Sequence, residues 1–364
     1  MTDLNVWPLQ LGQVGGLELR YGENGWQNAS LFTQFSDDPL ELGKFVLEEG
    51  EMPSQTNLTD LDRGVMTLTH IIAALKVNAP TPTYPRLQAA LAIKHGNCCG
   101  AGYNYDPERA LYSMLAGDRN AILGALLIFT FPITAKMAEA LLYAIPLPGQ
   151  EHQRRIFDVV VAPSFDPKAV EMLRRKNGKC RFITNPALKS LTIDSLDSKL
   201  RTRAVRGGHL VQDSYAHQLD FRDPRVAVYG NDRRGNDGFV LDLAFASAIC
   251  RTSNSNTVTI VHENMLVGNG VGQTRRDRAS RLAVSIAAEN GHLEHIRRYG
   301  DAVAVSDSFF PFADGITPLI DAGVEVIFAT SGAMRDREIQ QTCIQRGVTL
   351  YQLPDKDARM FFGH

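Results

Sequence analysis

Short apolar runs bounded by turn residues alternate with segments of helical period along most of this chain, and that alternation restricts the fold more than any other feature. Ile122–Phe129, Ile156–Ala162 and Arg181–Thr184 read as buried strands, and Pro107–Ala116, Thr134–Tyr143 and Pro167–Arg175 as the helices between them, with Thr134 as N-cap. The rhythm resumes after residue 240. Leu241–Ile249 suits a helix, Thr257–His262 a strand, and Ala279, Leu282, Ala283, Ile286 and Ala287 recur at helical spacing. Val303–Val305, Pro318–Ala322, Val324–Ala329, Arg335–Arg346 and Val348–Leu353 continue it as strand, helix, strand, helix and strand. Such a pattern predicts an α/β protein whose sheet is covered by helices.

A chain of 364 residues exceeds one ordinary core, so two subdomains are expected, 1–195 and 196–364, with the composition shifting near Leu188–Asp197. Upstream, residues 17–35 hold two strand-like pieces around the turn residues Gly22–Gly25, and residues 37–62 read as acidic and irregular. Thr67–Lys76 is compatible with a helix, and Pro80, Pro82 and Pro85 imply an extended link.

Composition excludes several classes of function. Lys and Arg total 38 against 40 Asp and Glu, a net charge of −2 that gives no footprint for nucleic acid or an anionic membrane. Local basic clusters at 174–176, 201–206 and 275–281 suit a small anionic ligand better than a polymer. The five cysteines are odd in number and lack C-x-x-C spacing, which points to a reducing, cytoplasmic setting without disulfides or a structural zinc site. Met1–Arg20 lacks the apolar core of a signal peptide, and no apolar run approaches a membrane span.

Chemistry-bearing residues gather in a few places. Leu87–Ile93 reads as a strand that ends in Lys94-His95 before Gly96-Asn97-Cys98-Cys99-Gly100-Ala101-Gly102, read as a glycine-rich turn. An ammonium and an imidazole then stand at a strand's carboxyl end, where open α/β sheets bind ligands. Gly268-x-Gly270-x-Gly272 with Arg275 and Arg276 either cradles a phosphate before a helix or only permits a tight strand–helix turn. His292-x-Glu294 matches half of a zinc deaminase signature but lacks its P-C-x-x-C partner, so no metal site is expected there. Cys98 and Cys99 beside His95 invite a thiol nucleophile, although small buried thiols are common beside close-packed glycines. Phe309, Phe310 and Phe312 in one loop suggest an aromatic wall for a flat heterocycle. Arg20, Arg206, Arg276 and Arg359 lie beside turn residues, where a guanidinium can clamp a phosphate.

Together these pieces resemble the AICAR transformylase domain of the bifunctional AICAR transformylase/IMP cyclohydrolase family. Leu19–Gln27 is similar to its L-R-Y-G-x-N-P-H-Q motif, Lys94–Gly100 to K-H-x-x-P-x-G, and Arg206–Asp213 to R-G-G-x-L-V-Q-D. Gly268–Arg276 is similar to G-x-G-x-G-Q-x-S-R, Ser306–Asp314 to S-D-A-F-F-P-F-x-D, and Arg359–His364 to a terminal R-x-F-x-H. The motifs occur in family order across residues 17–364.

The resemblance implies two tandem cytidine-deaminase-like α/β/α subdomains without the deaminase zinc, in a homodimer with active sites near the interface. It implies transfer of the formyl group of 10-formyltetrahydrofolate to the 5-amino group of AICAR, in purine biosynthesis. By motif, Lys94 and His95 are the catalytic pair. Arg20, Tyr21, Arg206, Gly207, Asn256, Phe309, Asp314 and Arg359 surround the ribotide. Asp158, Gly270, Gln273 and Arg276 lie toward the folate, and Ser253, Ser255 and Asp307 are candidates for a structural potassium site. The aromatic amine is a poor nucleophile, so attack requires proton removal, for which an imidazole suits, and a cation to offset the oxyanion.

Two departures qualify this expectation. Gly25-Trp26 replaces the family's Pro-His, which removes a second imidazole, and Cys98 replaces a proline. The cyclohydrolase domain that precedes the transformylase in the family has no counterpart ahead of the Arg20 motif, so ring closure is not expected here. Two alternatives stay open: a formyltransferase for another amino heterocycle, and a non-catalytic regulator binding ribotide or folate. Trp26 itself is expected either to stack on substrate or to pack under the Arg20 loop.

Overall fold

The computed structural model describes residues 16–33, 36–80, 87–145 and 154–363. The link expected around Pro82 and Pro85 lies outside them, as does His364. A small ribbon of β1 (Leu17–Glu18) and β2 (Ser30–Leu31) is followed by β3 (Val46–Glu49) and α1 (Gln55–Asn78). A first half then comprises β4 (Gln88–Lys94), β5 (Asn97–Asn104), α2 (Pro107–Ala116), β6 (Leu126–Phe129), α3 (Ala135–Tyr143), β7 (Val159–Ala162), α4 (Pro167–Leu173) and β8 (Arg181–Thr184). A second ribbon, β9 (Arg201–Val205) and β10 (Gly208–Gln212), leads to β11 (Ala227–Tyr229) and α5 (Asp237–Arg251). The second half comprises β12 (Val258–His262), β13 (Met265–Gly270), α6 (Arg276–Glu289), α7 (His292–Tyr299), β14 (Val303–Ser306), α8 (Thr317–Ala322), β15 (Val326–Ser331), α9 (Asp336–Gln345), β16 (Thr349–Pro354) and α10 (Asp355–Ala358).

Twelve strands form one mixed sheet in the order β11-β16-β15-β14-β12-β13-β5-β4-β6-β7-β8-β3. Read outward from the central β5–β13 pair, each half repeats one plan: an antiparallel hairpin, three parallel strands, and an antiparallel edge strand. Because β5 and β13 are antiparallel, the halves run in opposite senses. One edge of the sheet therefore collects the carboxyl ends of β4, β13, β14, β15 and β16 with the amino ends of β6, β7, β8 and β12.

Helices α1 and α5 pack together on one face, over a core that runs from Leu61 and Leu68 through Val159, Val303 and Phe328. The opposite face is covered by α2–α4 in the first half and α6–α9 in the second. None of the described helices is long and apolar enough to cross a membrane.

Glycines set the helix–sheet spacing at the centre. A Cβ at Gly102 would meet the Ala110 carbonyl of α2 at 2.4 Å, and one at Gly270 the Ala279 carbonyl of α6 at 2.0 Å. This corrects one expectation and favours one of two others: residues 97–104 form a full strand rather than a turn, and Gly268 and Gly270 lie within β13, where they admit the close approach of α6. Gly270→Ala is expected to cost about 1–3 kcal/mol or more, because backbone rather than a flexible side chain must move; urea unfolding measures it. Residues 37–62 also differ from the irregular stretch expected. They contain β3 and the first turns of α1, which starts at a Ser54 capping box closed by Asn57.

A buried pair ties the halves together. Tyr103 on β5 donates to Asp242 Oδ1 on α5 at 2.6 Å, and burial pushes the Asp242 carboxyl up to about 7. Folded Asp242 thus keeps a proton that the unfolded chain releases near pH 4. Its contribution to stability is complete below that pH and is lost as pH rises through about 7. Asp242→Asn is expected to flatten this slope and raise Tm at pH 8 relative to the parent, with little change at pH 4, as calorimetry at the two pH values will read.

Candidate active site at the strand ends

Lys94 and His95 sit where β4 turns into β5. The turn is two residues long, with His95 at φ 53° and Gly96 at φ 69°, and Lys94 pairs with Asn97 across it. A histidine held in the left-handed region carries a conformational cost that a glycine would avoid, and such positions cluster at functional sites. Asp60 of α1 accepts the Gly96 N–H at 2.7 Å and faces His95; burial raises its carboxyl above the usual range, and the Gly96 N–H and the charge of His95 partly offset this. Lys94 Nζ donates to the Leu123 carbonyl at 2.9 Å, which fixes the ammonium and leaves it further N–H donors. A hollow of about 330 Å³ is lined by Lys94, His95, Asn97, Cys99 and Asn269.

Asn97 joins this turn to the second half by accepting the Asn254 N–H at 3.0 Å. From there a polar network runs along the same sheet edge. Asn256 and Gln273 exchange backbone hydrogen bonds at 3.1 and 3.2 Å, and the Asn256 side-chain amide also donates to Gln273 O at 2.7 Å. Arg276 at the start of α6 donates to Asn256 Oδ1 at 2.6 Å and to Asp307 Oδ1 at 2.5 Å. Asp307 Oδ2 takes the Thr257 N–H at 3.0 Å and the Ser255 hydroxyl. Burial raises the Asp307 carboxyl, and Arg276 opposes this. Asn269 links Ser253 Oγ, at 3.1 Å, to Cys98 O, at 3.0 Å.

Beyond the network opens a cleft of about 630 Å³ bounded by Asn256, Arg276, Phe309, Phe312, Asp314 and Arg359. The α6 N-terminus faces it without a side-chain cap, leaving backbone N–H groups for an anion. Arg359 is bound through Nε to Asp355 Oδ2 at 2.6 Å, yet its side chain is 53% exposed, so the guanidinium has donors to spare. Burial pushes the Asp355 carboxyl up, but hydrogen bonds from Arg359, Thr330 and Ser308 outweigh it and hold the group below its usual range. The Phe361 ring lies between the guanidiniums of Arg276 and Arg359, at 5.8 and 5.1 Å.

The three phenylalanines divide. Phe309 and Phe312 line the cleft, whereas Phe310 is 1% exposed and belongs to the core. Of these three rings only two line the cleft, where Phe361 joins them. The thiols are not poised as nucleophiles: burial pushes Cys99 up to about 12 and Cys98 well above its usual range. His292 hydrogen-bonds the Gly117 carbonyl at 2.7 Å, a link between the halves.

Other candidates stand apart from the cleft. Arg20 pairs with Glu51, which Arg181 also approaches at 3.5 Å, and Tyr21 lies 5.6 Å below the Arg20 guanidinium. Asp158, at the start of β7 on the same sheet edge, pairs with Arg175 at 2.7 Å. Arg206 and Gly207 form the turn of the exposed β9–β10 ribbon; among the described residues no hydrogen bond or ion pair joins them to the rest. Trp26 is 82% exposed, so it does not pack under the Arg20 loop. Asp60, Asn97 and Asn254 were not legible as site residues, because each acts through a partner distant in sequence; Asp355 was missed although its partner Arg359 is only four residues on.

The family model for the AICARFT/IMPCHase bienzyme matches residues 7–286. Among curated relatives, the bifunctional purine biosynthesis protein PurH of Cutibacterium acnes is 31% identical over 347 residues, covering 94% of this chain and 59% of the relative. PurH of Prochlorococcus marinus is 30% identical over 335 residues, covering 91% and 58%, and PurH of Natranaerobius thermophilus 29% over 336 residues, covering 92% and 56%. The chain thus spans less than two thirds of the length of these relatives. With the family model matching more than half of its length, the chain belongs to the AICARFT/IMPCHase bienzyme family.

Proposed function

We propose that this chain transfers the formyl group of 10-formyltetrahydrofolate to the 5-amino group of AICAR, releasing FAICAR and tetrahydrofolate. The observation that carries the reading is the Lys94-His95 turn, tied through Asn97 to Asn254 and so to the cleft holding Phe309, Arg359 and the α6 N-terminus. A flat ring with a phosphate matches a cleft with aromatic walls, an exposed guanidinium that keeps N–H donors to spare, and a helix N-terminus.

In the proposed reaction the amine nitrogen forms a bond to the formyl carbon, and the bond from that carbon to N10 of the folate breaks. His95 takes the proton the amine loses, and N10 gains one as it departs. Lys94, held by Leu123 O, offsets the charge on the formyl oxygen. Asn256, Arg359, Phe309 and Asp314 orient the ribotide. Gly270, Gln273 and Arg276 lie toward the folate, and Arg276 also holds Asn256 and Asp307 in position.

Asp307 already receives Arg276, Ser255 and Thr257, and Ser253 is engaged by Ile249 O and Asn269. With Arg276 as counter-charge, this donor set does not call for a potassium ion, and no step runs through one.

The finer architecture follows the same reading. The repeated plan of the halves supports two cytidine-deaminase-like subdomains, divided near residue 195. The β9–β10 ribbon, with Leu210 and Val211 exposed at 60% and 57%, supports a homodimer in which the ribbon reaches a second copy. Arg206 and Gly207 would then complete the partner's site, with Arg20, Tyr21 and Asp158 at its margin. A cytoplasmic setting agrees with five unpaired cysteines.

Hydrogen–deuterium exchange with AICAR and with 10-formylfolate tests the placement. Protection of residues 94–97, 254–257 and 307–315 is the expected result. Ribotide binding that leaves all three segments unprotected would overturn the assignment.

A further inference from the structure

The repeated plan gives the Lys94-His95 turn a counterpart. In the second half, β12 ends at His262 and turns into β13 through Glu263 and Asn264, at φ 49° and 65°, as β4 turns through His95 and Gly96. Even the anchor repeats: the Asn264 N–H approaches Asp242 of α5 at 3.5 Å, as the Gly96 N–H binds Asp60 of α1. The halves run in opposite senses, so this second turn lies on the sheet edge away from the formyl-transfer cleft. Its residues are different, and so is their chemistry.

His262 is 1% exposed, and its Nε2 lies 2.9 Å from the Gly300 carbonyl. A carbonyl only accepts, so Nε2 carries the proton and Nδ1 keeps its lone pair. Burial lowers the basicity of this imidazole, against the raising effects of Glu263 and the Gly300 carbonyl. His295, on α7, brings its Nε2 to 3.5 Å from Glu263 Oε2, and its ring stands 5.3 Å from that of His262 and 4.5 Å from Tyr299. One donor atom from each of His262, Glu263 and His295 lies within 4.8 Å of the others.

We propose that His262, Glu263 and His295 form a binding site for a divalent transition ion of the zinc class, which staples the β12–β13 turn to α7. Two imidazoles and one carboxylate favour such an ion over magnesium or calcium, which take oxygen donors. Around a tetrahedral ion with bonds of about 2.0–2.1 Å the donors stand about 3.4 Å apart, so the present triad must contract. The two residues that must move have the freedom to do so: the Glu263 and His295 side chains are 60% and 48% exposed. His262 stays fixed, because its second nitrogen is bound to a backbone carbonyl, the arrangement that orients metal-ligating histidines. A bare His295–Glu263 ion pair on the surface would be worth only about 0–1 kcal/mol and would give no reason for an oriented imidazole behind it.

The test uses the full chain without a histidine tag. Competition with a chromophoric chelator measures Zn²⁺ affinity, and the absorption spectrum of the Co²⁺-loaded protein reports the ligands. One equivalent of Zn²⁺ per chain with micromolar affinity is expected, together with a Co²⁺ spectrum of nitrogen and oxygen ligation without thiolate charge transfer. Glu263→Gln and His295→Ala, both at exposed side chains, should each weaken binding by about tenfold or more, and His209→Ala should not. Unchanged affinity in both variants, thiolate bands pointing to the cysteines, or no saturable binding would overturn the proposal.

Discussion

His95→Ala is expected to lower formyl transfer by about 10²–10⁴, the range that a positioned acid–base group contributes, while ribotide affinity stays within a few-fold. The turn geometry explains the specificity of that effect. His95 is exposed on a two-residue turn whose hydrogen bonds come from Gly96, Asn97 and the backbone, so removing its side chain breaks no hydrogen bond among the described residues. Lys94→Met should lose rate by a similar order if its ammonium offsets the developing oxyanion. Steady-state kinetics with AICAR as the varied substrate, beside calorimetric binding of AICAR, separates the two quantities. A parent-like rate in both variants would place the proton transfer elsewhere.

The second large effect is on stability. Arg276 and Asp307 have side chains 8% and 1% exposed, and their 2.5 Å contact is backed by Asn256, Thr257 and Ser255. Arg276→Met leaves a buried carboxylate without its counter-charge, which is expected to cost about 3–5 kcal/mol in urea unfolding. The double variant Arg276→Met/Asp307→Asn should recover part of that loss, because the stranded charge is then gone. A double variant no better than the single one would show that the charge pairing is not the source of the cost.

Features with local causes were legible in the sequence, and features with distant causes were not. Helix α2 and strand β8 have the bounds expected from their apolar spacing, and Thr134 caps α3 by accepting the Met137 N–H at 3.2 Å. These features depend on neighbouring residues alone. The strand over residues 97–104 escaped notice because its glycines answer to the approach of α2, a contact that no local pattern announces. Likewise Phe310 turns into the core under Gly315 while Phe309 and Phe312 face the cleft, which three like residues within four positions do not reveal.

The site was legible in part. Lys94 and His95 fall at a strand's carboxyl end, as their position after Leu91–Ile93 implied, and Phe309, Asn256 and Arg359 meet in one cleft. What fixes them was not legible: Asp60 lies 36 residues before Gly96, and Asn254 lies 157 residues after Asn97. Trp26 shows the limit most plainly. An indole 82% exposed has no packing role among the described residues, which its neighbours in sequence do not reveal.

The most direct measurement is turnover itself. Purified chain is mixed with AICAR and 10-formyltetrahydrofolate, and release of tetrahydrofolate is followed by absorbance. Catalytic, AICAR-dependent release is expected in a parent sample, with its near loss in His95→Ala. Tight ribotide binding without any release by the parent would contradict formyl transfer by this chain.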